Sequence, residues 1–217
     1  MADFETARRR MVDNQLRTSN VTDRRLLLAM GEVPRELFVP ADRRDLAYTD
    51  AVQPLGSGRA LAEPAPFAKL VQLVALAHTD HVLDVGAATG YTTAVLAKLA
   101  ADVTGLESDP ALAAAARSNL AAIGAANARI VEASLDGSAT LPGSFDVIVI
   151  EGAVEAEPSA FFHALRDGGR LVALLRSGAT AVAHIYVRSG HDVAGRIEFN
   201  TTLPPLATAP RPETFVF

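Results

Sequence analysis

Cysteine is absent from the 217 residues. That removes disulfides, thiolate nucleophiles and cysteine-ligated zinc together, and it fits a reducing compartment. Basic excess is missing too. Twenty Lys and Arg against 25 Asp and Glu give a formal net charge of −5, whereas a general nucleic-acid binder is usually basic. No apolar run is long enough to span a bilayer. Met1 to Gln15 is charged throughout and lacks the apolar core of a secretory signal. None of the five His stands at metal-ligand spacing. No metal is therefore expected, and His163, His184 and His191 read as surface or packing residues. The expectation is a soluble cytoplasmic chain without membrane or nucleic-acid partners. A hydrophobic fraction of 49% supports a substantial core, in one domain with an optional appended subdomain.

The first forty residues read as amphipathic helix, with Met11, Val12, Gln15 and Leu16 at helical spacing. Thr22 is the expected N-cap of a second helix, Asp23 to Met30, closed by Gly31 and Pro34. Arg8-Arg9-Arg10 reads as a solvated helix face. Tyr48 to Pro66 is punctuated by Pro54, Gly56, Gly58, Pro64 and Pro66 and reads as a long functional loop. A helix is expected over Phe67 to Ala77. Strands then alternate with helices. The strands are Val82 to Val85, Val103 to Leu106, Ala128 to Ala133, Phe145 to Ile150 and, after a Gly168-Gly169 turn, Arg170 to Leu175. The helices are Thr93 to Ala100, Asp109-Pro110 to about Ala122, and a short Pro158 to Leu165. This alternation predicts a parallel sheet with right-handed crossovers. Ala181 to Arg188 and Arg196 to Leu203 form an antiparallel hairpin at one sheet edge. Pro204-Pro205 and Pro210-Arg211-Pro212 read as extended surface chain. There is no internal repeat.

The most telling segment is Asp84-Val85-Gly86-Ala87-Ala88-Thr89-Gly90, a glycine-punctuated turn between strand and helix. The next strand ends in Glu107, 17 positions after Gly90, about the spacing of a carboxylate that reaches a ribose diol. A dinucleotide site prefers G-x-G-x-x-G, whose glycines admit a pyrophosphate. Here the middle glycine is absent and the last comes one residue early, so no pyrophosphate needs to fit. Asp84 suits a ligand with an ammonium group. S-adenosylmethionine has an ammonium, a diol and an adenine and no phosphate, and the chemistry of these residues points to it. The closing hairpin agrees, since the class I methyltransferase sheet ends with an antiparallel excursion. The bland alternative is a tight turn and a chance acid at a strand end.

Three further segments carry a family likeness. They are Met30-Gly31-Glu32-Val33-Pro34-Arg35-Glu36-Leu37-Phe38-Val39-Pro40, then Ala47-Tyr48-Thr49-Asp50, then Pro54-Leu55-Gly56-Ser57-Gly58. With the glycine turn, the chain resembles the protein-L-isoaspartate O-methyltransferases from about Met11 to Leu175. The resemblance implies an α/β fold with a Rossmann-like class I methyltransferase sheet. That sheet is mostly parallel, with a C-terminal antiparallel hairpin, helices on both faces and an N-terminal helical extension. It implies one domain over 1–217: extension and substrate-side loop at 1–66, cofactor core at 67–175, hairpin and tail at 176–217. It implies methylation of the abnormal carboxylate of L-isoaspartyl residues in damaged proteins. Asp84, Gly86 and Ala88 would line the methionine portion, Gly90 would belong to the same cofactor-binding turn, Glu107 would take the ribose hydroxyls, and Ser108 would lie beside the adenine. Ser134 and Leu135 fall where the family is expected to carry an Asp-Gly pair near the adenine amine.

One departure concerns the acceptor. The family carries a Thr-Ile-Ser-like tripeptide in its loop, whose hydroxyls help hold the substrate carboxylate. Here the segment is Gly58-Arg59-Ala60-Leu61-Ala62-Glu63-Pro64. Arg59 could substitute, because a guanidinium binds carboxylates bidentately. Glu63 and Glu151 would oppose an anionic acceptor and would suit a hydroxyl or amine acceptor, with one of them as general base. Arg59, Glu63 and Glu151 are thus the candidate catalytic residues. The alternatives to isoaspartyl methylation are a shifted small-molecule acceptor and a catalytically silent S-adenosylmethionine-binding protein.

Overall fold

The computed structural model describes residues 3–206 except 142 and 179. Helix α1 (Phe4–Met11) starts at Asp3, whose carboxylate accepts from the Thr6 amide at 3.0 Å. It runs into a π-helical turn, Val12–Leu16, which buries Val12 and Leu16. Helix α2 (Arg24–Glu32) is capped by Asp23, which accepts from the amides of Arg25 at 2.9 Å and Leu26 at 3.3 Å. The cap therefore lies one residue after Thr22, whose amide is held by Gln72 Oε1 at 2.6 Å. Gly31 continues the helix rather than closing it. The chain turns extended at Val33, before Pro34.

The segment expected to be a loop contains a short antiparallel ribbon, β1 (Gln53–Gly56) with β2 (Arg59–Leu61). Its tip is Ser57-Gly58, both in the left-handed region. Helix α3 (Pro64–Leu73) begins three residues before the expected Phe67. Pro64 and Pro66 fall in the first turn, where a missing N–H costs nothing. It ends early because Ala75 adopts φ 44°.

The sheet is built from β3 (His81–Val85), β4 (Asp102–Glu107), β5 (Ala128–Glu132), β6 (Phe145–Val154), β7 (Leu165–Ser177), β8 (Thr180–Ser189) and β9 (Asp192–Thr201). Their spatial order is β5-β4-β3-β6-β7-β8-β9. The first five are parallel, and β8 and β9 add as an antiparallel pair beside β7. Helix α4 (Tyr91–Ala97) joins β3 to β4, and α5 (Pro110–Ala122) joins β4 to β5. Asp109 caps α5, accepting from Ala111 and Leu112 amides at 2.8 and 3.0 Å. A 3₁₀ segment, Ser159–Ala164, stands where a short helix was expected. Gly168-Gly169 is a bulge inside β7 rather than a turn before it, because Phe145 pairs Leu165 while Val147 already pairs Arg170. Pro204-Pro205 returns to the sheet, with Pro205 bridging to Ala153. The extended chain expected at Pro210-Arg211-Pro212 lies outside the described residues.

Strand alternation separates the two faces. Val82, Val103, Val147, Val149 and Val172 belong to the core shared with the five α-helices. Leu83, Val85, Leu106, Ile148, Ile150 and Leu171 face the opposite way, against Phe161, Ala164 and Leu206. By this alternation Asp84, Glu107 and Glu151, next to Val85, Leu106 and Ile150, all turn to the helical face at the carboxyl ends of three adjacent strands. Open α/β sheets bind ligands at that edge. No helix of the described residues is long and apolar enough to cross a membrane.

Candidate active site

The glycine turn is wired to β4. The amides of Gly86 and Ala87 both donate to Leu106 O, at 2.9 and 3.0 Å. Ala88 adopts φ 46°, costly for a residue with a Cβ, and this aims its amide at Glu107 Oε2, 2.7 Å away. Gly90, at φ 92°, lets α5 approach: a Cβ there would lie 3.3 Å from Ala116 Cα. Thr89 Oγ1 donates to Phe38 O at 2.6 Å, and Asn119 donates to Thr89 O at 2.9 Å. The turn is therefore held from both sides.

Glu107 is fully buried and collects donors. The amides of Ser108 and Asp109 donate to Oε1 at 2.8 and 3.0 Å, and Ala88 donates to Oε2. Arg59 Nη1 reaches both carboxylate oxygens at 2.9 Å, and its Nη2 donates to Gly86 O at 2.7 Å. The structure thus places Arg59 across the crevice between the glycine turn and Glu107. A Cβ on Gly86 would lie 2.9 Å from Arg59 Nη2 and 2.9 Å from Leu206 Cδ1, so these two side chains fill the cradle that the glycine leaves.

Asp84 is also fully buried. Its Oδ2 accepts from Thr93 Oγ1 at 2.6 Å. Glu151 Oε2 accepts from Thr92 Oγ1 at 2.5 Å. Asp84 Oδ1 and Glu151 Oε1 are buried without a hydrogen-bond partner, and each carboxyl bears on the other's proton affinity. Burial, and then the adjacent Asp84 charge, push the Glu151 carboxyl well above the ordinary range. Asp84 is also raised by burial, opposed by the Glu151 and Thr93 side chains. Burial thus favours the neutral form of Glu151.

The remaining candidates spread around this centre. Glu63 is half-buried at the N-cap of α3 and makes no capping hydrogen bond. Ser108 is exposed beside Glu107, and Ser134 is exposed after β5. Leu135 is buried and lines a cavity of about 120 Å³ with Asp136, Ile150, Glu157 and Phe161. An Asp-Gly dipeptide, Asp136-Gly137, follows β5 two residues beyond Ser134. Hydrogen bonds from Ser138 and Ser134 hold the Asp136 carboxyl down at about 2. Gly137, at φ 81°, packs so closely that a Cβ would lie 2.6 Å from Ala160 Cβ.

A second unassigned group is Arg35, fully buried and stacked over Tyr91 with its guanidinium carbon 4.8 Å from the ring centre. It donates to Ala47 O at 2.7 Å and to Ala62 O. It thereby ties the end of β2 to the N-terminal segment.

The cleft suits a phosphate-free nucleoside with a cationic tail. Asp84 offers an orphaned buried oxygen, Glu107 a charged acceptor, and no Lys or Arg side chain other than Arg59 hydrogen-bonds to the turn among the described residues. Comparison with known proteins agrees. Residues 6–207 match the family model "Protein-L-isoaspartate(D-aspartate) O-methyltransferase (PCMT)". A protein-L-isoaspartate O-methyltransferase 2 of Anaeromyxobacter sp. is 42% identical over 170 residues, 77% of this chain and 69% of that protein. A protein-L-isoaspartate O-methyltransferase of Koribacter versatilis is 38% identical over 200 residues, 91% and 87% of the two chains. Among solved structures, a protein-L-isoaspartate O-methyltransferase superposes with a TM-score of 0.78 at 21% identity, over 92% of this chain and 66% of the other. A Plasmodium falciparum structure in complex with S-adenosyl-L-homocysteine gives 0.78 at 18% identity, over 95% and 99%.

Proposed function

Because the chain belongs to the protein-L-isoaspartate O-methyltransferase family, we propose that it uses S-adenosylmethionine to methylate the carboxylate of L-isoaspartyl residues in damaged proteins. The observation that carries this reading is the convergence of Asp84 and Glu107, from neighbouring strands, on one glycine turn. When bound, S-adenosylmethionine supplies an electrophilic methyl group on a sulfonium. Asp84 would hold the ammonium group, over the cradle left by Gly86, Ala88 and Gly90. Glu107 would accept from the ribose hydroxyls, while its three backbone donors hold the carboxylate in place. Ser108 and Leu135 would flank the adenine. Asp136, two residues beyond Ser134, would accept from the adenine amine.

Methyl transfer from a sulfonium is an in-line displacement, so alignment is the main task of the protein and can supply about 7–11 kcal/mol. A carboxylate acceptor is ionised near neutral pH and needs no general base. Burial favours a neutral Glu151, which would remove one of the two charges that would repel an anionic acceptor. Glu63, at a helix start, benefits there from the positive end of α3. The chain is read as one domain within these bounds and the setting as cytoplasmic, in keeping with the lack of cysteine.

The test is methyl transfer to an isoaspartyl peptide against its aspartyl counterpart. Methyl ester on the isoaspartyl peptide alone is expected. Binding of S-adenosylhomocysteine with no ester on that peptide would overturn the proposed acceptor.

A further inference from the structure

We propose that Arg59 is an exchangeable clamp. It holds Glu107 until the cofactor ribose takes that carboxylate, and it then holds the carboxylate of the isoaspartyl acceptor, so that cofactor binds first and substrate second. The proposal rests on the reading above and adds an order of binding and a substrate-positioning residue.

Four observations carry it. Arg59 and a ribose diol need the same atoms. The guanidinium spans both Glu107 oxygens at 2.9 Å and lies on Gly86 O at 2.7 Å, with 9% of its side chain exposed. A nucleoside seated on the glycine turn requires that space. Second, Glu107 keeps three backbone donors, from Ala88, Ser108 and Asp109, so it stays hydrogen-bonded when Arg59 leaves. The backbone partners are fixed and the arginine is the replaceable one.

Third, the carrier can move. Arg59 opens β2 directly after a tip in which Gly56, Ser57 and Gly58 all have positive φ. The other end of β2 is tethered by Arg35 to Ala62 O, and β1 is tethered at Gln53 by Arg43 and Thr49. A pivot between two tethers needs no rearrangement of the sheet. Fourth, a displaced guanidinium stays charged, and leaving it buried without a counterion is costly. Of the acids near it, Asp84 is engaged by the cofactor ammonium, Glu151 is already held by Thr92 and favours its neutral form, and Asp109 is committed to its cap. The acceptor carboxylate is the counterion that remains. Ala60, on the same strand, and Ala62, just after it, have no hydroxyl to do this work.

Calorimetry on wild type, Arg59→Ala and Arg59→Gln tests it, with thermal unfolding to confirm that each variant is folded. The probes are S-adenosylhomocysteine, 5′-methylthioadenosine (which keeps the diol but lacks the amino-acid part) and an isoaspartyl peptide. Both variants should bind 5′-methylthioadenosine at least fivefold tighter than wild type. The peptide should bind wild type at least tenfold tighter when S-adenosylhomocysteine is present, and both variants should lose that gain. Unchanged 5′-methylthioadenosine affinity would overturn the displacement. Peptide affinity that is independent of S-adenosylhomocysteine, or of Arg59, would overturn the exchange. A variant that binds methylthioadenosine tighter but S-adenosylhomocysteine more weakly would give Arg59 to the cofactor carboxylate instead and overturn the substrate role. If neither nucleoside binds any of the three proteins, the cofactor reading itself fails.

Discussion

Replacing Glu107 with Gln changes no volume and removes one charge, which makes it a clean probe of the donor cluster. In the wild type, Oε1 takes Ser108, Asp109 and Arg59, and Oε2 takes Ala88 and Arg59. A glutamine must turn its NH₂ toward one of these sets. At least one buried backbone N–H then loses its acceptor, at a cost of about 1–3 kcal/mol. Breaking a buried ion pair by removing one partner costs about 3–5 kcal/mol when the other charge stays buried. Arg59 sits on a ribbon that can swing toward water, which reduces that share to roughly 1 kcal/mol. The sum is a stability loss of about 2–4 kcal/mol for Glu107→Gln, read from urea unfolding. In an Arg59→Met background the loss should shrink by about 1 kcal/mol, the coupling that a double-mutant cycle isolates. The same substitution should weaken S-adenosylhomocysteine by about a hundredfold, since hydrogen bonds to a charged acceptor contribute about 1.5–3 kcal/mol each. A variant with stability within about 0.5 kcal/mol of wild type would refute the claim that these donors depend on the charge.

Glu151→Gln tests the raised proton affinity of this carboxyl through pH. Glu151 binds its proton more tightly folded than unfolded, so the folded state holds the extra proton between the unfolded carboxyl pKa and the raised one. Wild-type stability from this group is complete at acid pH and declines as pH rises through that window. The glutamine variant should show a flatter profile in thermal unfolding scanned from about pH 5 to 8, and parallel profiles would exclude a proton on Glu151. Gly105→Ala places a Cβ 2.6 Å from Ile130 Cδ1 and 2.9 Å from Thr93 Oγ1. It should cost about 1–3 kcal/mol by overpacking and disturb the Thr93 bond to Asp84, as denaturant midpoints will report. Arg35→Met strips donors from Ala47 O and Ala62 O. It should lower stability by about 2 kcal/mol or more and raise proteolysis within residues 47–62, while equal cleavage of both proteins would show that the ribbon does not need that tether.

The parts of the molecule legible in the sequence are those with local causes. Asp109-Pro110 marks the start of α5 because a capping acid and a first-turn proline act within one turn. The hairpin β8–β9 and the turn from Gly86 to Gly90 declare themselves by alternation and glycine spacing. What was missed depends on distant partners or on misleading punctuation. Pro54 and two glycines made the ribbon read as loop, although Gln53 and Leu55 turn inward. Gly168-Gly169 read as a boundary and is a bulge that lets β7 begin at Leu165. Asp84 and Glu107 were found because strand ends are visible in sequence. That Arg59 lies on Glu107, 48 positions away, is set by the ribbon's path and leaves no pattern. The raised proton affinity of Glu151 has no sequence signature either, since it arises only when β3 and β6 pair.

The return of the chain after β9 has a practical side. Leu206 donates its amide to Ala153 O at 2.9 Å and sets its methyl groups against Gly86 and its backbone neighbours against Gly152. Leu206 is therefore part of the wall of the candidate cleft. Residue 206 itself offers a place for a spectroscopic reporter that would feel the nucleoside arrive.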